Sequence, residues 1–114
     1  MQPIKGDVLR GHLETMALDM LEQGPCHGFD ILKRLEHAGN GTLELKEGSL
    51  YPALYRLEAA GLIRSAWEPA QPGRRGPRRR VYSVTRKGAR ELGHGRAQWV
   101  QFVGTISGVL GIQT

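Results

Sequence analysis

A mainly α fold with one small β-hairpin is predicted for this 114-residue chain. Three observations predict it. Apolar residues recur at helical spacing in four stretches. The stretch from Lys46 to Arg64 reads as a helix that ends at a glycine and runs straight into an apolar strand. After that strand comes a loop with five arginines in seven residues: Arg74, Arg75, Arg78, Arg79 and Arg80. A helix followed by a basic β-hairpin is the order of a winged helix-turn-helix, and here one further helix follows.

The elements can be justified in turn. Met1 to Val8 reads as a flexible arm. From Leu9, the residues Leu13, Met16, Ala17, Met20 and Leu21 mark a first helix, stopped by Gly24-Pro25. A second helix is expected from Gly28 to Ala38, with Phe29, Ile31, Leu32 and Leu35 on its apolar side. Gly39-Asn40-Gly41 signals a turn. Thr42 to Leu45 is too short to assign beyond a small extended piece. The third helix is expected to begin near Ser49 as N-cap, with Pro52 tolerated in its first turn. Its stripe is Leu50, Ala53, Leu54 and Leu57, and Gly61 ends it.

Leu62 to Trp67 reads as a strand and Arg80 to Val84 as its partner, with Trp67 expected in the core. Between them, Glu68 to Arg79 holds Pro69, Pro72, Pro77, Gly73 and Gly76, a composition that excludes regular structure. Lacking an apolar anchor, this hairpin loop is expected to be mobile until it meets a partner. Thr85 reads as the N-cap of a last helix. Along it Leu92, Trp99 and Ile106 lie seven apart, with Phe102, Val103, Val109 and Leu110 between and beyond them, an a/d-type seam. Gly93, Gly95, Gly104 and Gly108 each cost this helix up to about 1 kcal/mol against alanine, so contacts from outside must stabilise it. Gly93 and Gly95 leave its start open.

Composition narrows the function. One domain fits this length. Residues 1–60 carry six Lys/Arg against nine Asp/Glu, and residues 61–114 carry ten against two, giving the overall +5. Positive charge gathered in one half points to a polyanion, and arginine's planar fork suits phosphate oxygens. No apolar run approaches a membrane span, no secretory signal pattern opens the chain, and one cysteine excludes a disulfide framework, so a cytoplasmic protein is expected. The histidines His12, His27, His37 and His94 show no zinc-ligand spacing with Cys26, which reads as a small buried thiol. Neither a nucleophile motif nor a glycine-rich phosphate loop is present. An enzyme is not expected, nor a cofactor.

The polyanion best suited to this layout is double-stranded DNA. A recognition helix reads bases with its N-terminal residues, and helix N–H groups attract phosphate. Lys46, Ser49, Tyr51, Pro52, Tyr55 and Arg56 are therefore the candidates on the helix. For Tyr55, DNA contact and packing on the first helix stand level. Arg74, Arg75, Arg78, Arg79 and Arg80 are the candidates on the hairpin. Leu92, Trp99, Phe102, Val103, Ile106, Val109 and Leu110 are the candidate dimer seam, because a lone terminal amphipathic helix cannot bury itself. A two-fold contact satisfies that seam twice.

Gly48-Ser49-Leu50-Tyr51-Pro52-Ala53-Leu54, Arg56-Leu57-Glu58 and Gly61-Leu62-Ile63 together resemble the signature of the PadR family of bacterial transcriptional regulators. Gly24-Pro25-Cys26-His27-Gly28-Phe29 resembles that family's Gly-Pro-x-His-Gly-Tyr segment, with Phe29 in place of Tyr. Tyr82-Ser83-Val84-Thr85-Arg86-Lys87-Gly88 resembles its Tyr-x-Leu-Thr-x-x-Gly segment. The resemblance implies a compact homodimeric repressor, with a DNA-binding domain over residues 1–85 and a dimerisation helix over 86–114. It also implies an aromatic or lipophilic effector, for which Trp99 is the candidate contact, although ordinary interface packing is the favoured role of Trp99. Two other readings remain at this level: a protein-interaction module docking an acidic partner, and a non-specific architectural DNA binder.

Overall fold

The computed structural model describes residues 4–5, 12–69, 72–76 and 78–113. In chain order its elements are β1 (Ile4–Lys5), α1 (Leu13–Glu22), β2 (Cys26–His27), α2 (Gly28–Ala38), β3 (Leu43–Glu44), α3 (Glu47–Ala59), β4 (Ile63–Trp67), β5 (Arg80–Val84) and α4 (Arg86–Leu110). The expected start at Leu9 lies outside the described residues, as does most of the arm. Within that arm Ile4–Lys5 pairs in parallel with Leu43–Glu44, and this is the small extended piece left open at Thr42 to Leu45.

Helices α1, α2 and α3 bury their apolar stripes on one another. Leu21, Ile31, Leu35, Leu50, Leu54 and Leu57 are almost fully buried, each contributing about 1.5–3 kcal/mol. No basic residue of α1 lies in its own last turn. Arg34 of α2 serves instead, its Nη1 donating to the carbonyls of Met20 at 3.3 Å and Gly24 at 3.4 Å.

The sheet has three strands in the order β2-β5-β4, all antiparallel. Ile63 faces Val84, Ser65 faces Tyr82, and Trp67 faces Arg80 across β4 and β5. The third strand, β2, was not foreseen, because Cys26-His27 is too short to carry a periodic signal. It pairs with Tyr82 and Val81 and locks the α1–α2 turn to the hairpin.

Two expectations about α3 and β4 are corrected. Helix α3 starts at Glu47, not near Ser49, and its N-cap is Lys46 in an extended conformation. Ser49 and Leu50 both donate their N–H groups to the Lys46 carbonyl, at 3.0 and 3.1 Å, so Ser49 sits inside the helix. Glu47 in the first turn complements the helix dipole, which favours the earlier start. Pro52 is then interior rather than in the first turn. Trp67 is not core: it is 55% exposed. Strand β4 has by then run past the helices, and the indole lies under the Arg80 guanidinium, 5.1 Å from its ring centre.

Helix α4 is unbroken from Arg86, so Gly93 and Gly95 do not delay it. Thr85 caps it as expected, accepting from the Gly88 N–H at 3.1 Å. The same hydroxyl donates to the Gly61 carbonyl at 2.7 Å. Gly61, with φ 77°, provides the left-handed turn that delivers the chain from α3 to β4. The first half of α4 packs on α1, where Arg96 pairs with Asp19 and, at 3.0 Å, with Glu22. Leu92 is therefore fully buried within one subunit. That corrects its place in the dimer seam. The seam splits, because α1 covers α4 only over its first turns. Past Trp99, which still meets His12, α4 leaves the body; its 25 residues span ~37 Å, against molecular extents of 59 × 32 × 21 Å.

Candidate nucleic-acid interface

The N-terminal half of α3 and the hairpin carry most of the candidate residues. Lys46, Ser49, Tyr51, Pro52 and Tyr55 are all exposed. Tyr55 is 74% exposed, which removes packing on α1 as its role. Tyr51 is held differently. Its ring lies against the backbone of α2 at Gly28, so close that a Cβ there would stand 2.8–3.0 Å from the ring atoms. Burial, with Glu47 adding to it, pushes the Tyr51 phenol above its ordinary pKa. The family-like His-Gly segment and the Tyr of the α3 segment are thus two halves of one contact. Arg56 pairs with Glu14 of α1, Nε donating to Oε1 at 2.6 Å, on the side of α3 that faces the body.

The hairpin extends its ladder one step past the strands, with Glu68 N–H donating to the Arg79 carbonyl at 2.7 Å. Its anchoring is polar. Arg74 Nη1 lies 3.4 Å and Arg79 Nε 3.8 Å from Glu68 Oε2. Arg78 Nε donates to the Glu68 carbonyl at 3.0 Å. His27 approaches the same carboxylate from the body, with Nε2 3.5 Å from Oε1, while its Nδ1 stands 3.2 Å from Asp30. Arg80 donates to Ser65 Oγ at 2.7 Å and lies 3.9 Å from Glu58. Arg75 is exposed. Sequence reasoning gave Glu58 a place in the family-like segment and passed over Glu68. The signal for Glu68 was present: it and Glu91 are the only acids after residue 60.

The residues matched by the model of the PadR-like family of transcriptional regulators are 17–94, from α1 through the hairpin into α4. The chain belongs to that family. Its fold is similar to that of a transcriptional regulator from Clostridium thermocellum, at 28% identity and a TM-score of 0.80, over 90% of this chain and 96% of that one. A PadR-like regulator from Bacillus cereus is similar at 27% identity and a TM-score of 0.75, over 95% and 100% of the two chains. A PadR family regulator from Eggerthella lenta gives 29%, 0.77, 91% and 86%. An uncharacterised Lysinibacillus sphaericus protein is 24% identical over 98 residues, covering 86% of this chain and 87% of its own.

The PadR-type scaffold leaves the second half of α4 bare. Trp99, Phe102, Ile106, Val109 and Leu110 are exposed, and Val103 is half-buried. Val100 and Ile112, absent from the predicted seam, are exposed there too. Trp99 meets His12 edge-on, centroids 4.8 Å apart, and stacks with Phe102 at 5.7 Å. An open concavity of about 300 Å³ beside them is lined by Gln98, Gln101, Phe102, Thr105 and Ile106 rather than by Trp99. Cys26 is buried, and burial pushes its thiol up, with Arg34 partly offsetting this. No helix among the described residues is long and apolar enough to cross a membrane.

Proposed function

We propose that this protein is a homodimeric, sequence-specific DNA-binding repressor. The observation that carries the reading is an exposed N-terminal half of α3 followed by an arginine-bearing hairpin, linked to it through His27 and Gly28. Residues 1–85 form the DNA-binding part and residues 86–114 the dimerisation helix. Lys46, Ser49, Pro52 and Tyr55 approach base edges and the adjoining phosphates in the major groove, with Tyr51 steadying the helix start. Arg75, Arg78, Arg79 and Arg80 grip the backbone, with Arg74 behind them. Such grips position the protein and read little sequence.

The bare stripe on α4 supports dimerisation. Five large apolar side chains in water on a 114-residue protein favour a partner, and a second copy supplies the same stripe. Repression follows by occluding a promoter in the cytoplasm. A flat lipophilic effector taken up beside Trp99 and Phe102 at the dyad would favour a dimer whose α3 helices no longer match the half-site spacing.

Hydroxyl-radical footprinting on the DNA upstream of the protein's own gene tests the reading. Two inverted protected patches about 10 bp apart, or a small multiple of that, are expected. Uniform protection along the duplex would leave an architectural binder instead.

A further inference from the structure

Resting on the DNA reading above, we propose that the Glu68 carboxylate stands in for a DNA phosphate. In the free protein it occupies the hairpin's arginine cluster, and so it sets how tightly any duplex binds. Three cationic or donor side chains converge on this one group. Arg74 lies 3.4 Å and Arg79 3.8 Å from Oε2, and His27 Nε2 lies 3.5 Å from Oε1. Two guanidinium groups around one anion is the arrangement that arginine offers a phosphate.

The contacts are long. Charge-assisted pairs close to about 2.7–2.9 Å, so Glu68 is held loosely enough for a phosphate to replace it. His27 meets the same carboxylate from the body, on its other oxygen. Among the described residues, His27 Nε2 is buried with no hydrogen-bond partner and faces Glu68. The acid is also out of keeping with its surroundings, since ten Lys/Arg and two acids make up the charge of residues 61–114. A duplex arriving at the hairpin must displace Glu68 from Arg74 and Arg79 or accept its repulsion. Glu68 thus lowers sequence-independent affinity and leaves base reading by α3 untouched. The contrast between operator and random DNA rises accordingly.

The test compares wild type with Glu68→Gln by fluorescence anisotropy, using a mixed-sequence duplex over a salt series. Glutamine keeps the size and an acceptor oxygen for the arginines, so the hairpin is retained; a thermal melt checks this. Glu68→Gln is expected to bind about tenfold tighter at low salt, with a log–log salt slope more negative by about one to two units. Adding Arg79→Ala to Glu68→Gln should remove most of that gain. Equal or weaker binding by Glu68→Gln, with an unchanged slope, would overturn the proposal and make Glu68 a strut of the hairpin. If the variant does not fold, the wild-type Glu68 side-chain carboxyl ¹³C resonance serves. Its movement on adding duplex supports displacement, and a fixed resonance overturns it. Wild type that binds no duplex at low salt would overturn the DNA reading itself, a result distinct from an unaltered Glu68→Gln.

Discussion

Gly88 shows how one residue can tie two elements together. A Cβ at this position would fall on the Leu62 carbonyl oxygen, which is backbone and cannot step aside. Here α4 passes so close to the start of β4 that only hydrogen fits. Three residues earlier, Thr85 caps α4 and reaches back to the Gly61 carbonyl. The Thr-x-x-Gly spacing thus serves one junction, with the cap and the close approach on successive turns of chain. Gly88→Ala should lower stability by about 1–3 kcal/mol, read as a lower urea midpoint. Thr85→Ala should cost about 1 kcal/mol through removal of the cap. A Gly88→Ala protein with a wild-type midpoint would mean the approach is looser than described. Cys26 supplies a second residue-scale test. Its thiol is buried and pushed up, so iodoacetamide should label native protein far more slowly than urea-unfolded protein at the same pH. Equal rates would place the thiol at the surface.

Among the elements, the hairpin and α4 divide the work. Changing Arg78, Arg79 and Arg80 together to alanine should weaken binding to every duplex. The salt slope should become shallower by about one unit for each phosphate that the hairpin no longer neutralises. The fold should be retained with only a small drop in thermal midpoint, traceable to Arg80, which meets Ser65 and Trp67; Arg78 and Arg79 are exposed, and exposed pairs contribute little. Trp99→Asp should give monomers by light scattering, since Trp99 begins the bare part of α4. A Trp99→Asp dimer would remove the seam as the interface. At this scale the sequence was readable wherever one element buries one face. The stripe Leu50, Ala53, Leu54, Leu57 followed from spacing, and the bounds of α2 and β5 from spacing together with the glycine and proline breaks beside them. It was unreadable where a second element decided the outcome. Leu92 and Trp99 hold equivalent positions in one heptad pattern, and α1 covers only the former. Trp67 alternates correctly for a core strand, but it stays 55% exposed beneath the Arg80 guanidinium.

On the scale of the whole molecule, the pattern of charge and bare apolar surface carries the function. Net positive charge gathers after residue 60, much of it on the hairpin, which His27 and Gly28 link to Tyr51 near the start of α3. The bare apolar stripe lies further along α4, on the half that leaves the body. On the proposed reading, that separation would let one subunit hold DNA and its own copy at once. Composition and motif order made this division legible from the sequence. The internal neutralisation was not: Glu68 and Glu58 beside the hairpin arginines, and Glu14 on Arg56, depend on contacts between residues far apart in the sequence or across a turn. The most direct test of specific DNA recognition is an anisotropy titration of the purified protein on the duplex upstream of its own gene. It would use excess random duplex as competitor at two salt concentrations. Binding that survives the competitor and weakens steeply with salt is predicted. Absence of binding at the lower salt would contradict the account and favour an acidic protein partner for the arginine hairpin.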